Sequence, residues 1–175
     1  MPHVHVSKQH KTKAKGKVIS NDKLTRLLLQ HKVDNRLFTS IYDADPMRRI
    51  MIVREGLPAS TMQAMSDEFA MTQARVFSTL GVPRATAMRQ LRENATLSPE
   101  ATERVVYVAG LVKTVENMIP AGDAKGFNAP RWIADWLEMP QPALDGKKPE
   151  DFLDTADGRA IVSRLLSKIE TGAYA

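Results

Sequence analysis

The feature that most constrains this chain is the stretch 97–119, LSPEATERVVYVAGLVKTVENMI. It begins with a strong helix-start signal. A Ser98 hydroxyl can accept a backbone N–H, Pro99 suits the first helical position, and Glu100 and Glu103 favour the positive end of the helix dipole. Val105, Val108, Val112, Val115 and Ile119 then recur at helical spacing and form one apolar stripe. Valines lower helix propensity, but they suit a helix buried in a core. The stretch therefore predicts a long core helix.

Shorter segments repeat the pattern. Residues 23–31 place Leu24, Leu27 and Leu28 on one side of a short helix. Pro46 can open a helix that Gly56 closes, although IMIV within it is also β-prone. Residues 58–70 put Met62, Met65 and Phe69 on one face. Residues 72–80 and 83–93 read as two short helices broken at Gly81. After the break at 120–128, Pro130 opens a helix with Ile133, Trp136 and Leu137 along one side. A turn-rich connection follows, and Ile161, Leu165, Leu166 and Ile169 form a last helical face that Gly172 stops. The expectation is an all-α fold. It has a flexible basic arm at 1–20, a helical region at 21–122 with a helix-turn-helix at about 72–93, and a small helical domain at 123–175.

Charge narrows the function. The net charge of +5 resides in Lys8, Lys11, Lys13, Lys15 and Lys17, since the chain from Val18 onward is formally neutral. Such an arm strengthens nucleic-acid binding without specificity, or simply stays solvated. Within the neutral body, no acidic residue occurs from Ala70 through Arg92, whereas Arg75, Arg84, Arg89 and Arg92 are positive. A tight turn at Gly81 followed by a helix bearing Arg84, Thr86, Arg89, Gln90 and Arg92 on or near its outer face fits a DNA-reading helix-turn-helix. Arginine reads guanine and glutamine reads adenine in the major groove. A plain helical hairpin with a solvated basic face fits the same residues, and Phe77 at a position usually small favours it.

The end of the chain differs. From Asp123 on there are nine acidic and seven basic residues, which suits a partner other than DNA. Trp132 and Trp136 lie on one helical face at i, i+4, and with Met139 and Leu144 they form a candidate partner-binding patch. Equally, one or both tryptophans can be core.

Catalytic chemistry finds no support. There is no cysteine, and all four histidines (His3, His5, His10 and His31) precede residue 32, so no nucleophile–histidine site or zinc cluster can form in the body. Residues 122–126, GDAKG, lack phosphate-loop spacing. Asp67-Glu68 and Glu150-Asp151 are adjacent carboxylates that point apart. The expectation is a non-enzyme without cofactor, metal or small-molecule substrate. No apolar run is long enough to span a membrane and no signal peptide is evident, which predicts a cytoplasmic protein.

Residues 132–175 resemble the C-terminal domain of Xre/MbcA/ParS-type antitoxins. The resemblance rests on Trp136-Leu137, Pro140, Ala143-Leu144, Gly146, Pro149, Leu153, Gly158, Val162, Leu166, Ile169-Glu170 and Gly172. Gln141 stands where that family has Asn, and Asp145 replaces a Gly. Upstream, REGLP at 54–58, LGVPRATAMRQ at 80–90 and LSPEATERV at 97–105 are similar too. The family's Thr-Leu-x-Arg-Arg recognition segment appears as Thr86-Ala87-Met88-Arg89-Gln90. The resemblance covers about residues 46–175. It implies a RES-domain, NAD-consuming toxin as partner, bound by the C-terminal domain, with Gly172, Ala173, Tyr174 and Ala175 obstructing its active site. It also implies repression of the protein's own operon, usually as a dimer. Trp132, Trp136, Leu144 and the tail are the expected toxin contacts; Arg75, Arg84, Thr86, Arg89, Gln90 and Arg92 are the expected DNA contacts. A stand-alone regulator whose C-terminal domain only dimerises, and a protein adaptor without DNA binding, are the alternatives.

Overall fold

A computed structural model describes residues 37–120 and 126–170. Its centre is the long helix that the sequence predicts. We number the helices α1 (Leu37–Tyr42), α2 (Pro46–Glu55), α3 (Ser60–Glu68), α4 (Gln73–Leu80), α5 (Arg84–Glu93), α6 (Pro99–Met118), α7 (Ala129–Glu138) and α8 (Ala156–Glu170). Two 3-10 turns, Pro142–Leu144 and Pro149–Phe152, lie between α7 and α8. No strand occurs among the described residues, only the isolated bridges Pro58–Thr96 and Gln141–Lys147. Helix α6 touches α1, α2 and α4 as well as α7 and α8. One apolar core therefore runs from Phe38 through the valine stripe to Leu166.

Local signals set the helix ends. The Ser98 hydroxyl accepts the Ala101 N–H at 3.2 Å, and Asp45 caps α2 by accepting the Arg48 N–H at 3.0 Å. The β-prone run 50–53 is helical because this cap and Gly56, at φ +79°, frame it. Val105, Val108, Val112 and Val115 are all buried. Ile119 is not part of the stripe. It is the extended residue after the helix, at φ −88°, ψ 121°. Helix α3 starts at Ser60 rather than at Pro58, because Leu57 and Ala59 are held in backbone pairing with Leu97 and Ala95.

Helix α1 has no counterpart in the sequence reading. Six residues are too few for a periodic signal, and tertiary burial holds them: Phe38 and Ile41 are fully buried, with Phe38 edge-on to Phe69 at 5.0 Å. Tyr42 lies so close to Gly110 of α6 that a Cβ there would sit 2.7 Å from its ring. The arm at 1–20, the helix expected at 23–31, the four histidines, the expected boundary at 122–123 and the tail 172–175 lie outside the described residues.

Candidate functional site

The turn between α4 and α5 is built by Gly81 in the left-handed region, at φ +65°, with its N–H donating to the carbonyls at Phe77 and Ser78. An L side chain there would be strained and would also run into the Arg104 guanidinium. Thr72 caps α4 through the Arg75 N–H, and Asn94, at φ +49°, closes α5. Phe77 is buried and serves as core between the helices.

Helix α5 has a single fully buried residue, Ala87. Thr86, Gln90 and Leu91 are half-buried, and Arg84, Ala85, Met88, Arg89, Arg92 and Glu93 are exposed. Ala85, Met88, Arg89 and Arg92 fall at i, i+3, i+4, i+7 and share one outer stripe. A helix seated this shallowly leaves a whole face open. Arginine on such a face has the geometry for bidentate donation to guanine, and Ala and Met offer apolar surface. Gln90 departs from the expected base-reading set: its carboxamide donates to the Thr96 carbonyl at 3.1 Å, which ties it to the loop after α5.

Arg75 departs further. Its guanidinium lies 3.0 Å from Glu138 and 3.1 Å from Glu150, and it also donates to the Ala134 carbonyl. Lys148 completes the cluster, at 3.8 Å from Glu138 and 3.7 Å from Glu150. The first helix of the hairpin is thereby fastened to α7 and to the second 3-10 turn. Arg75 faces the C-terminal region instead of joining the stripe on α5. A basic residue in an acid-free run looks like a DNA contact until the fold brings the distant carboxylates of Glu138 and Glu150 beside it.

At the C-terminal end, Asn128 caps α7 by accepting the Arg131 N–H at 2.8 Å. Trp132 and Trp136 stack at 6.2 Å with planes 8° apart. Trp136 is only 5% exposed, and its indole N–H is buried without an acceptor. Trp132 is half-buried against the core. Leu144 is buried at the floor of a hollow of about 160 Å³, lined also by Ala143, Ile161, Arg164, Leu165 and Lys168. Asp145 takes the left-handed conformation, at φ +54°, that an Asp tolerates in place of the expected Gly. Gln141 is buried and its side chain donates to the Met139 carbonyl at 3.1 Å, fixing the turn after α7. Helix α8 is fastened to α6 by Tyr107, whose hydroxyl donates to the Arg159 carbonyl at 2.8 Å and pairs with Ser163 at 3.2 Å.

Comparison with known proteins decides the family. Residues 48–110 match the antitoxin Xre-like helix-turn-helix domain, and residues 126–172 match the antitoxin Xre/MbcA/ParS C-terminal toxin-binding domain. A protein of Sphingobium sp. (strain YBL2) named Prs ADP-ribosylating antitoxin is 38% identical over 139 residues, covering 79% of this chain and 87% of that protein. The chain belongs to the Xre/MbcA/ParS antitoxin family.

This antitoxin thus carries a helix-turn-helix domain and a toxin-binding domain, and α6 joins them. Ile161, Arg164 and Lys168 border the hollow over Leu144, and sequence reasoning did not single out the two basic residues. The α8 periodicity holds the signal, since these positions flank the apolar face that it predicts. Arg104 was also missed: it comes from α6, outside the hairpin, yet packs on the turn at Gly81. No cluster of three or more metal-ligating side chains occurs among the described residues, and none of their helices is long and apolar enough to cross a membrane.

Proposed function

We propose that this chain neutralises a RES-domain, NAD-consuming toxin by direct, non-catalytic binding in the cytoplasm, and represses its own operon as a homodimer. The observation that carries the reading is the pairing of two surfaces on one core: a shallowly seated, arginine-bearing α5 and a toxin-binding domain with an apolar hollow rimmed by Arg164 and Lys168. The name of the Sphingobium relative, Prs ADP-ribosylating antitoxin, ties that protein to ADP-ribosylating chemistry, which consumes NAD. In this reading Arg84, Thr86, Arg89 and Arg92 contact operator DNA, while Gln90 holds the loop after α5 through Thr96. Trp132, the Leu144 hollow and the tail 172–175 contact the toxin. The basic arm adds salt-sensitive DNA affinity.

The test is to express the reading frame next to its gene alone and together with this chain, and to score growth, intracellular NAD and co-purification. Toxicity and NAD loss in the first case, with rescue and co-purification in the second, are expected. A harmless neighbour that does not co-purify sinks the toxin reading and leaves a DNA-binding regulator. Gel shifts with the upstream DNA at low salt test repression separately.

A further inference from the structure

One cation beside the helix-turn-helix has no use within the fold. Arg104 projects from α6, and its guanidinium lies over Gly81: a Cβ there would sit 2.8 Å from the central carbon of that group. Arg104 makes no hydrogen bond or ion pair among the described residues. The carboxylates nearest to it along α6 are already engaged. Glu100 accepts from the Ser98 hydroxyl and from its own backbone N–H, and Glu103 pairs with Arg159 at 3.5 Å. The hairpin offers no counter-charge either, since its first acidic residue is Glu93, at the far end of α5.

Position gives this cation a use. Gly81, Pro83, Arg84 and Ala85 are all exposed, so the turn opens at the end of the hairpin where α5 and its outer stripe begin. Arg104 is half-buried. Packing therefore restricts its stem, and less side-chain freedom is lost when the guanidinium meets a ligand. The group also comes from α6, off the stripe of α5 that faces outward. A held guanidinium beside a reading helix suits planar, bidentate recognition of phosphate oxygens. Gly81 serves twice here, since the side chain it lacks would both strain the turn and displace the guanidinium.

We propose that Arg104 grips a phosphate of the DNA backbone beside the groove that α5 enters. It fixes how α5 is seated and reads no base itself. This role rests on the DNA-binding reading above and adds a residue from a helix that the sequence marks only as core.

Binding of the full chain to its upstream DNA, measured across a salt series, tests it. Arg104→Met keeps an unbranched stem over Gly81 and removes the charge, whereas Arg104→Lys keeps a charge. Arg164→Ala removes an exposed arginine of the toxin-binding domain and is the control. Arg104→Met is expected to weaken binding about tenfold. It should also reduce the slope of log affinity against log salt by about one unit, with the preferred bases unchanged. Arg104→Lys should keep the wild-type slope, and Arg164→Ala should match the wild type throughout. Thermal unfolding checks that each variant is folded. A wild type that binds no DNA even at low salt overturns the DNA-binding reading, and this role falls with it. A wild type that binds while Arg104→Met matches it in affinity and slope overturns the role of Arg104 alone. So does weaker binding by Arg104→Met with an unchanged slope, which marks a residue that only holds the turn.

Discussion

Helices α5 and α7 are both ten residues long, yet they sit in the molecule in opposite ways. Helix α5 has one fully buried residue, Ala87, whereas α7 buries Ala129, Pro130, Ile133, Ala134, Trp136 and Leu137. Helix α5 is therefore a displayed surface, and α7 is a structural plate against which the C-terminal turns and the Arg75 cluster are assembled. The difference separates two kinds of functional residue. On α5, side chains can be changed at little structural cost. On α7, the residues that resemble a binding patch also hold the domain together, so loss of toxin binding on mutating them reports folding first.

The largest expected effect tests that claim. Trp136→Ala should destabilise the protein by about 3–5 kcal/mol in thermal or denaturant unfolding, as for other buried large-to-small changes. Trp132→Ala should cost clearly less. Equal Tm values for Trp136→Ala and the wild type would break the comparison and return Trp136 to the binding surface.

Next comes α5. Arg89→Ala should weaken operator binding by about 1–3 kcal/mol, and it should change unfolding stability by no more than about 0.5 kcal/mol. Gln90→Ala, by contrast, should weaken the turn at Thr96 more than it changes base preference. A change of preferred base at one operator position in Gln90→Ala would show that its side chain leaves Thr96 when DNA is bound.

Arg75 sharpens the boundary between the two regions. Arg75→Ala leaves Glu138 and Glu150 facing each other with only Lys148 between them, and should cost about 1–2 kcal/mol of stability. The slope of log affinity for DNA against log salt should stay unchanged. A slope reduced by about one unit would instead mark a phosphate contact.

The smallest effect lies at the joint between α6 and α8. Burial pushes the Tyr107 hydroxyl above its ordinary value near 10, with the Ser163 hydrogen bond and the Arg159 charge opposing more weakly. The fold therefore favours the neutral phenol, and its contribution is complete below about pH 10 and fades as pH rises through the raised folded value. Tyr107→Phe should cost about 1 kcal/mol near neutral pH, and the gap to the wild type should narrow in alkaline solution. A gap that is constant with pH would show that the phenol does not titrate differently on folding.

What the sequence by itself determined was local. Ser98-Pro99, Pro46 with Gly56, and Gly81 mark helix ends because caps and left-handed turns are satisfied within a few residues of the chain. The valine stripe marks a core helix because burial follows its helical spacing. The family was legible for a related reason: its motif residues build turns, as Gly146 does after α7. What only the tertiary structure decided is how long-range partners use side chains that locally look alike. Arg75 and Arg89 share one acid-free run, but Arg75 meets Glu138 and Glu150 while Arg89 meets solvent. Trp132 and Trp136 are one turn apart, but the core closes over Trp136 more completely. Helix α1 exists because α6 gives Phe38 and Ile41 somewhere to be buried. Spacing in sequence fixes which residues share a face; only packing fixes what that face meets.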